Sequence, residues 1–309
     1  MDYFDLHCDT ACHWADHGQL LENGYCHVNL KKAASLGGRY GQVFALFIDD
    51  RYSGKTAYRR YLALRDGLHR QLSGNRQIAL CRDAEGMEKA WGAGQAAAVL
   101  SVENGSVLGG KLDMLLQLQS DGVKLLTLTW FGENELGFGS QIGGALKPFG
   151  LQVLDALPQY GILPDISHLS DEGVAQVFER YQGPVVASHS GARRACGHYR
   201  NLTDSQIRQI VASDGLIGVN FFSRFLNDEP SMAGFDDIRR HLEVFWENGA
   251  QNHLAFGSDF DGAEMPPCLH GGLADVPALW EYLCRHNYPQ ELLKKLFFEN
   301  ARRFFAGHL

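Results

Sequence analysis

Histidines and carboxylates that could bind metal ions recur along this sequence, each close to the end of a short apolar run. The stretch YFDLHCDT begins at Tyr3 and puts His7 and Asp9 two positions apart. On an extended chain this spacing puts both side chains on one face, as half of a metal site requires. The same two residues could equally do no more than close a strand with polar groups, so the rest of the chain must decide.

Four further stretches repeat this arrangement of an apolar run followed by ionisable side chains. Glu103 occurs in SVENG, His168 in DISHLS and His189 in ASHSGAR, and GSDFDG contributes Asp259 and Asp261. Imidazole and carboxylate ligands together suit Zn²⁺, Mn²⁺ or Co²⁺. One ion needs only three or four ligands, so this larger set favours two ions bridged by Glu103, which is central in chain order. Two ions about 3.5–4 Å apart can share a hydroxide nucleophile at neutral pH.

The elements that must position these residues alternate along the chain. Eight apolar runs are typical of strands: YFDL from Tyr3, QVFALFI from Gln42, AAAVLSV from Ala96, VKLLTLT from Val123, GILPDIS from Gly161, PVVAS from Pro184, GLIGVNF from Gly215 and HLAFGS from His253. Segments with helical periodicity lie between most of them, and the chain from about Ala274 to Phe305 is predicted to be helical. A ninth run, QIALC near Ile78, blurs the strand count.

Alternating strands and helices predict parallel pairing, and continuously apolar strands predict burial on both faces. Eight such units in 309 residues predict a (β/α)₈ barrel of the TIM type, with a doubly wound open sheet as the alternative. No linker, repeat or low-complexity stretch divides the chain, so we expect residues 1–309 to form a single catalytic domain. In a barrel, the C-terminal strand ends converge on one face, and the candidate ligands should meet there.

Composition excludes several classes of partner. The net charge is −8 and no run of Lys or Arg occurs, so nucleic acid and anionic membranes are not expected partners. Seven scattered cysteines without a CxxC pair predict free thiols in a reducing compartment. Without a leader, a long apolar run or a hydrophobic tail, the protein is expected to be cytoplasmic. The sequence leaves open whether the barrel forms a homodimer.

Taken together, these motifs resemble the membrane (renal) dipeptidase family of zinc peptidases. The matching stretches are DLHCDT, SVENG, LTLTW, DISHLS, ASHSGARRACGHYRN, GVNF and GSDFDG, in the family's order over nearly the whole chain. The resemblance implies a (β/α)₈ barrel with two zinc ions per chain, for which Mn²⁺ or Co²⁺ could substitute. By position, it implies that His7 and Asp9 bind one zinc, that His168 and His189 bind the other, and that Glu103 bridges them.

The resemblance also implies roles for three residues at the substrate. Arg200, in GHYRN, would bind the C-terminal carboxylate of a dipeptide, and Asp259 would be the acid–base residue beside the bridging hydroxide. The stretch LTLTW ends in Trp130, where the better-known members have a histidine that contacts the substrate, so substrate polarisation and range are expected to differ. Plainer readings stay open, in which Asp259 is a metal ligand or helix cap and Arg200 forms an ion pair within its loop.

The expected activity is therefore metal-dependent hydrolysis of the peptide bond of a dipeptide. A second reading is a binuclear amidohydrolase acting on another small amide, such as a β-lactam or a modified amino acid. A third is a non-catalytic, metal-stabilised barrel that serves as a binding module. The complete set of ligand residues argues against the third reading.

Overall fold

Eight parallel strands close into a barrel at the centre of the structure, a computed structural model that describes residues 1–22 and 24–308. A short ninth strand pairs with the outside edge of one of them. The strands are β1 Tyr3–Cys8, β2 Tyr40–Phe47, β3 Ile78–Leu80, β4 Ala96–Glu103, β5 Val123–Thr127, β6 Leu163–Asp165, β7 Val186–Ser190, β8 Leu216–Val219 and β9 Leu254–Phe256.

Helices connect the strands. They are α1 Thr10–His17, α2 Leu30–Ser35, α3 Gly54–Leu72, α4 Ala84–Gly92, α5 Met114–Asp121, α6 Pro148–Ala156, α7 Asp171–Arg180, α8 Asp204–Ala212, α9 Ser223–Leu226, α10 Phe235–Glu247, α11 Val276–Arg285, α12 Gln290–Lys294 and α13 Asn300–His308. A π-helical turn at Lys295–Glu299 joins α12 to α13. Among the residues that the structure describes, no helix is long and apolar enough to cross a membrane.

Strand pairing confirms the predicted (β/α)₈ barrel and rules out the open sheet. Around the barrel the order is β1, β2, β4, β5, β6, β7, β8 and β9, and β9 pairs again with β1. The β2–β4 ladder, from Gly41↔Ala97 to Phe47↔Glu103, closes the ring. β3, formed by the ninth apolar run, pairs with Ala96–Ala98, whereas β5 pairs with β4 only from Leu100 onward. β3 therefore extends the edge of β4 before β5 begins and does not enter the ring.

Apolar side chains fill the N-terminal end of the barrel. One buried cluster contains residues from all eight ring strands, which is possible only inside the barrel: Phe4, Val43, Val99, Leu125, Leu163, Val186, Leu216 and Ala255. The C-terminal helix closes this end, since the ring of Phe305 stacks on Phe4 with centroids 5.3 Å apart. Trp91 from α4 packs edge-on against Phe4 at 6.2 Å. With the N-terminal end sealed by apolar groups, a polar site can open only at the opposite end of the barrel.

Candidate active site

The ionisable residues of the sequence motifs meet at the C-terminal end of the barrel. They are carried by, or directly follow, strands β1, β4, β6, β7 and β9. All of them are buried: His7, Asp9, Glu103, His168, His189 and Asp259. This is the end of the barrel where enzymes of this architecture keep their catalytic residues.

Glu103 lies between two groups of potential ligands and directs one carboxylate oxygen to each. Its Oε1 is 2.8 Å from Nε2 of His168 and 3.6 Å from Nε2 of His189. Its Oε2 is 3.5 Å from Nε2 of His7, which in turn lies 3.4 Å from Oδ2 of Asp9. Two ligand atoms bound tetrahedrally to one zinc at about 2.0–2.1 Å lie about 3.3–3.4 Å apart. The separations in both groups are therefore close to those of a metal coordination shell.

Two atoms in this cluster are buried without a hydrogen-bond partner among the described residues, Nε2 of His7 and Oδ1 of Asp9. Buried polar atoms are nearly always bonded in folded proteins, so such atoms need an explanation. Ligand atoms of His7, Asp9 and Asp259 lie within 4.8 Å of one another, as do those of His7, Glu103 and His189. A divalent cation is the partner that fits these atoms, and by this test the residues present suit metal binding.

Burial shifts the pKa of four groups in the cluster. Burial raises the pKa of the Glu103 carboxyl to about 7, and the nearby Asp9 charge adds to the effect. Burial also raises the pKa of Asp259 to about 6. For His168 and His189, burial lowers the pKa well below the usual value, so both imidazoles are neutral near pH 7. Neutral imidazoles are the form that binds metal ions.

Asp259 and Asp261, two residues apart in GSDFDG, have different surroundings. Asp259 accepts a hydrogen bond at Oδ2 from Asn220 Nδ2 at 3.0 Å, and its Oδ1 lies 3.9 Å from His7 Nε2. The Asp261 carboxylate instead accepts from Thr10 Oγ1 at 2.5 Å and from backbone N–H groups that include that of His27 at 2.6 Å. Asp261 thus ties the β9 loop to the N-terminal segment, while Asp259 faces the ligand cluster.

Arg200 is buried behind the ligands, with 3% of its surface exposed. Its Nη1 donates to Ser190 Oγ at 3.1 Å, its Nη2 to the His189 carbonyl at 3.0 Å, and its Nε lies 3.3 Å from Nδ1 of His168. A guanidinium has five N–H groups, so one N–H on each terminal nitrogen is still available. Burial lowers the pKa of Arg200 to about 10, which leaves it charged near pH 7. It is a fixed cation beside the ligand cluster.

A cavity of about 280 Å³ opens onto Asp9, Glu103, His168 and Asp259. Its lining includes five aromatic side chains, Phe47, Trp130, Phe131, Phe222 and Phe225, and also the charged side chains of Asp16, Arg51 and Arg60. Trp130 packs edge-to-face against Phe47 at 4.8 Å and Phe131 at 5.0 Å, and its ring centre is 6.4 Å from that of His168. The indole therefore forms part of the cavity wall.

Sequence reasoning missed Gly262, the last residue of GSDFDG. A Cβ added at this glycine would lie 1.9 Å from Asp9 Oδ2 and 2.8 Å from Asp259 Oδ1. Real Cβ atoms do not approach other atoms so closely, so the backbone passes the two carboxylates at a distance that only glycine permits. The sequence signal for this close approach was the glycine that directly follows the candidate ligands Asp259 and Asp261.

Sequence reasoning also missed the polar residues around the ligands. No GxSxG pattern surrounds Ser188, so its sequence context indicates no catalytic role. In the structure its hydroxyl lies 2.8 Å from Nδ1 of His189 and 2.6 Å from Asp165. Asn220, in the GVNF stretch, holds Asp259 as described above. The contacts of Ser188 with Asp165 and of Asn220 with Asp259 span 23 and 39 positions of the chain, so no local spacing indicates them.

Comparisons with known proteins place similar chains beside this one. The sequence profile of a family described as membrane dipeptidase (peptidase family M19) matches residues 1–307. An uncharacterized protein from the pqqA 5′ region of Klebsiella pneumoniae is 29% identical over 238 residues, which are 74% of this chain and 88% of that protein.

Solved structures show the same barrel. A family M19 metallopeptidase described as dipeptidase AC has a TM-score of 0.93 and 26% identity, over 100% of this chain and 98% of its own. A metallopeptidase from Rhodobacter sphaeroides, bound to a phosphinate mimic of L-Ala-D-Ala, has a TM-score of 0.93 and 24% identity, over 100% and 99% of the two chains.

Replacement of Gly262 by alanine should reduce metal content. The added methyl group would displace the Asp9 and Asp259 carboxylates, two of the groups that face the candidate ion positions. Metal per chain, measured by plasma mass spectrometry after dialysis, should fall below that of the wild type. Gly92→Ala is the matched control, because a Cβ at Gly92 meets no atom within 4 Å. Wild-type metal content in Gly262→Ala would contradict the close-approach argument.

Proposed function

The chain belongs to the membrane dipeptidase family of metallopeptidases, and on that premise we propose that it hydrolyses the peptide bond of dipeptides with two zinc ions. The observation that carries this proposal is the position of Glu103, whose two oxygens face two separate groups of ligand atoms. Residues 1–309 would act as one catalytic domain.

In this proposal Glu103 bridges two sites of different composition. His7 and Asp9 hold one ion, and His168 and His189 hold the other. When bound, the two ions lower the pKa of a shared water and polarise the carbonyl of the scissile bond. The mixture of nitrogen and oxygen ligands suits Zn²⁺, and Mn²⁺ or Co²⁺ could take its place.

Asp259 is the proposed acid–base residue. Asn220 holds its Oδ2 at 3.0 Å, and Oδ1 is left facing the cluster. A general base works best when its pKa is close to the working pH, and burial raises the pKa of Asp259 to about 6. The carboxylate would take a proton from the attacking water and pass it to the departing amine.

Arg200 and Trp130 are the proposed substrate contacts. Recognition of the free carboxylate of a dipeptide needs a fixed cation near the reacting carbonyl. Arg200 has one N–H on each terminal nitrogen that no group among the described residues accepts. A guanidinium can bind a carboxylate through two parallel hydrogen bonds. Trp130 gives the cavity an apolar wall where an imidazole would supply a polar group, so it should influence which side chains fit.

The two-ion proposal predicts a defined metal stoichiometry. Wild-type protein should bind two ions per chain, and His168→Ala combined with His189→Ala should bind at most one, because one ligand group is removed. Plasma mass spectrometry measures this directly, and chelation should also lower the thermal midpoint, since an ion bound only to the folded state stabilises it. His286→Ala, at an exposed position, is the control. Two ions retained in the double variant would rule out the bridged arrangement.

Asp259→Asn should lower turnover by about 10²–10⁴-fold, the usual contribution of a general acid–base group. The asparagine oxygen can still accept the bond from Asn220, so metal content should stay near that of the wild type. Steady-state kinetics and metal analysis on the same preparation test this. Loss of metal in place of turnover would make Asp259 mainly a ligand. Asp261→Asn, in the same motif, should instead lower thermal stability.

Arg200→Ala should weaken cleavage of a free dipeptide. Removing one partner of a buried charge pair costs about 2–5 kcal/mol, which corresponds to roughly a 30- to several-thousand-fold loss in kcat/KM. A dipeptide amide, which the wild type should cleave poorly, should be affected much less. Arg200→Lys should recover only part of the loss, because it keeps the charge without the planar fork. Equal wild-type rates on acid and amide would favour an amidohydrolase for other small amides.

Trp130→His should broaden the substrate range without changing metal content. The smaller, polar imidazole replaces an apolar wall, so larger first-position side chains and β-lactams should be accepted more readily. A dipeptide panel that includes D-residues at the second position, together with one β-lactam, measures the change. An unchanged profile would show that Trp130 has no part in selecting the substrate.

A further inference from the structure

We propose that Ser188 is a positioning residue, whose hydroxyl, held by Asp165, fixes the His189 imidazole in the tautomer that binds metal. The inference rests on the proposed function, in which His189 is a metal ligand. It concerns a chain of three buried groups: a carboxylate, a hydroxyl and an imidazole.

The carboxylate of Asp165 is fully engaged as an acceptor. It accepts five hydrogen bonds: from Thr127 Oγ1 at 2.6 Å, Ser188 Oγ at 2.6 Å, Ser167 Oγ at 2.7 Å, and the backbone N–H groups of Ser167 and Ser188, each at 3.0 Å. Donors occupy both oxygens, so this carboxyl group acts as an acceptor toward all five. The Ser188 hydroxyl must therefore donate its single proton to Asp165.

The direction of the hydrogen bond from Ser188 to Asp165 determines how the hydroxyl can interact with His189. With its proton on the Asp165 side, Ser188 Oγ can only accept from Nδ1 of His189, which lies 2.8 Å away. Nδ1 then carries the imidazole proton, and the lone pair is on Nε2. This Nε2 lies 3.6 Å from Oε1 of Glu103 and 2.9 Å from Nε2 of His168, on the side of the ligand cluster.

Metal-binding histidines usually donate their other N–H to a carboxylate or carbonyl group, which fixes the ring and raises its basicity. Here a serine hydroxyl stands between the carboxylate and the ring. The surroundings of His168 are different, since its Nδ1 faces Nε of Arg200, a donor, at 3.3 Å. The proposed positioning therefore applies to His189 and not to both histidines.

Ser167 provides a matched control within the same network. Its hydroxyl donates to the same carboxylate at 2.7 Å and is equally buried, but it meets His189 only at the backbone N–H, at 3.1 Å. Removing either hydroxyl takes one hydrogen bond from Asp165. The Ser167 hydroxyl also lies 3.1 Å from Ser188 Oγ, but only the loss of the Ser188 hydroxyl removes the acceptor from Nδ1.

The test measures zinc affinity of the full-length protein by chelator competition, with activity as a separate measurement. Ser188→Ala should weaken zinc binding about 10–100-fold, the usual effect of losing such a partner. It should also remove the protected Nδ1–H signal of His189 from the ¹H–¹⁵N spectrum of the zinc-loaded protein. Ser167→Ala should keep both the affinity and the signal.

Asp165→Asn gives a second, independent test. The amide would donate to Ser188 Oγ, so the hydroxyl would turn its proton toward Nδ1 and drive His189 into the opposite tautomer. Zinc binding should then be weakened at least as much as in Ser188→Ala, although Asp165→Asn keeps the shape of the side chain.

The outcomes separate this inference from the proposed function. Unchanged zinc affinity and an unchanged Nδ1–H signal in Ser188→Ala, or equal losses in Ser167→Ala, would overturn the positioning role alone. A wild-type protein that binds zinc but leaves dipeptides intact would overturn the proposed function and leave the affinity test in force. A wild-type protein that binds no divalent ion would overturn both.

Discussion

Burial of negative charge at one end of the barrel is the constraint on which the rest of this structure depends. A carboxylate taken out of water needs hydrogen-bond donors or a cation to replace its hydration. Three of the buried carboxylates have donors: Asp5, Asp165 and Asp261 each accept from backbone N–H groups and a hydroxyl. Asp9, Glu103 and Asp259 have few or none, and it is there that we propose metal ions. The distribution of donors thus distinguishes carboxylates that hold strands together from those that face the site.

The satisfied carboxylates give the site its rigidity. Asp5 accepts from the backbone N–H groups of His7 at 3.1 Å and Ser258 at 3.0 Å, and so joins the ends of β1 and β9. Asp165 joins the ends of β6 and β7 in the same way. Asp5 bonds the backbone of the candidate ligand His7, and Asp165 bonds the backbone of Ser167 and Ser188, which precede His168 and His189. The strands of the barrel therefore hold these imidazoles in place. A site supported in this way loses little entropy when it binds an ion or a substrate.

A buried arginine and a group of aromatic side chains surround the ligand cluster. Arg200 is buried, and hydrogen bonds from its guanidinium to Ser190 and the His189 carbonyl fix its position. Burial lowers its pKa to about 10. The aromatic side chains, Trp130 among them, give part of the cavity an apolar lining, and interactions between charges are stronger where less water is present. The cavity thus brings the ligand cluster and aromatic side chains together, while Arg200 contacts His168 and the His189 carbonyl.

The sequence by itself determined the barrel and the set of residues at its C-terminal end. Both follow from local features, namely eight apolar runs alternating with helical segments and ionisable residues near the ends of those runs. It distinguished Asp259 from Asp261 only through the family resemblance, and it did not reveal the contacts of Gly262 and Ser188. Those distinctions depend on partners far apart in the chain, as when Thr10 bonds Asp261 across 251 positions. Only the closed barrel brings such residues together, because side-chain contacts between strands are set by register and closure and not by spacing along the chain.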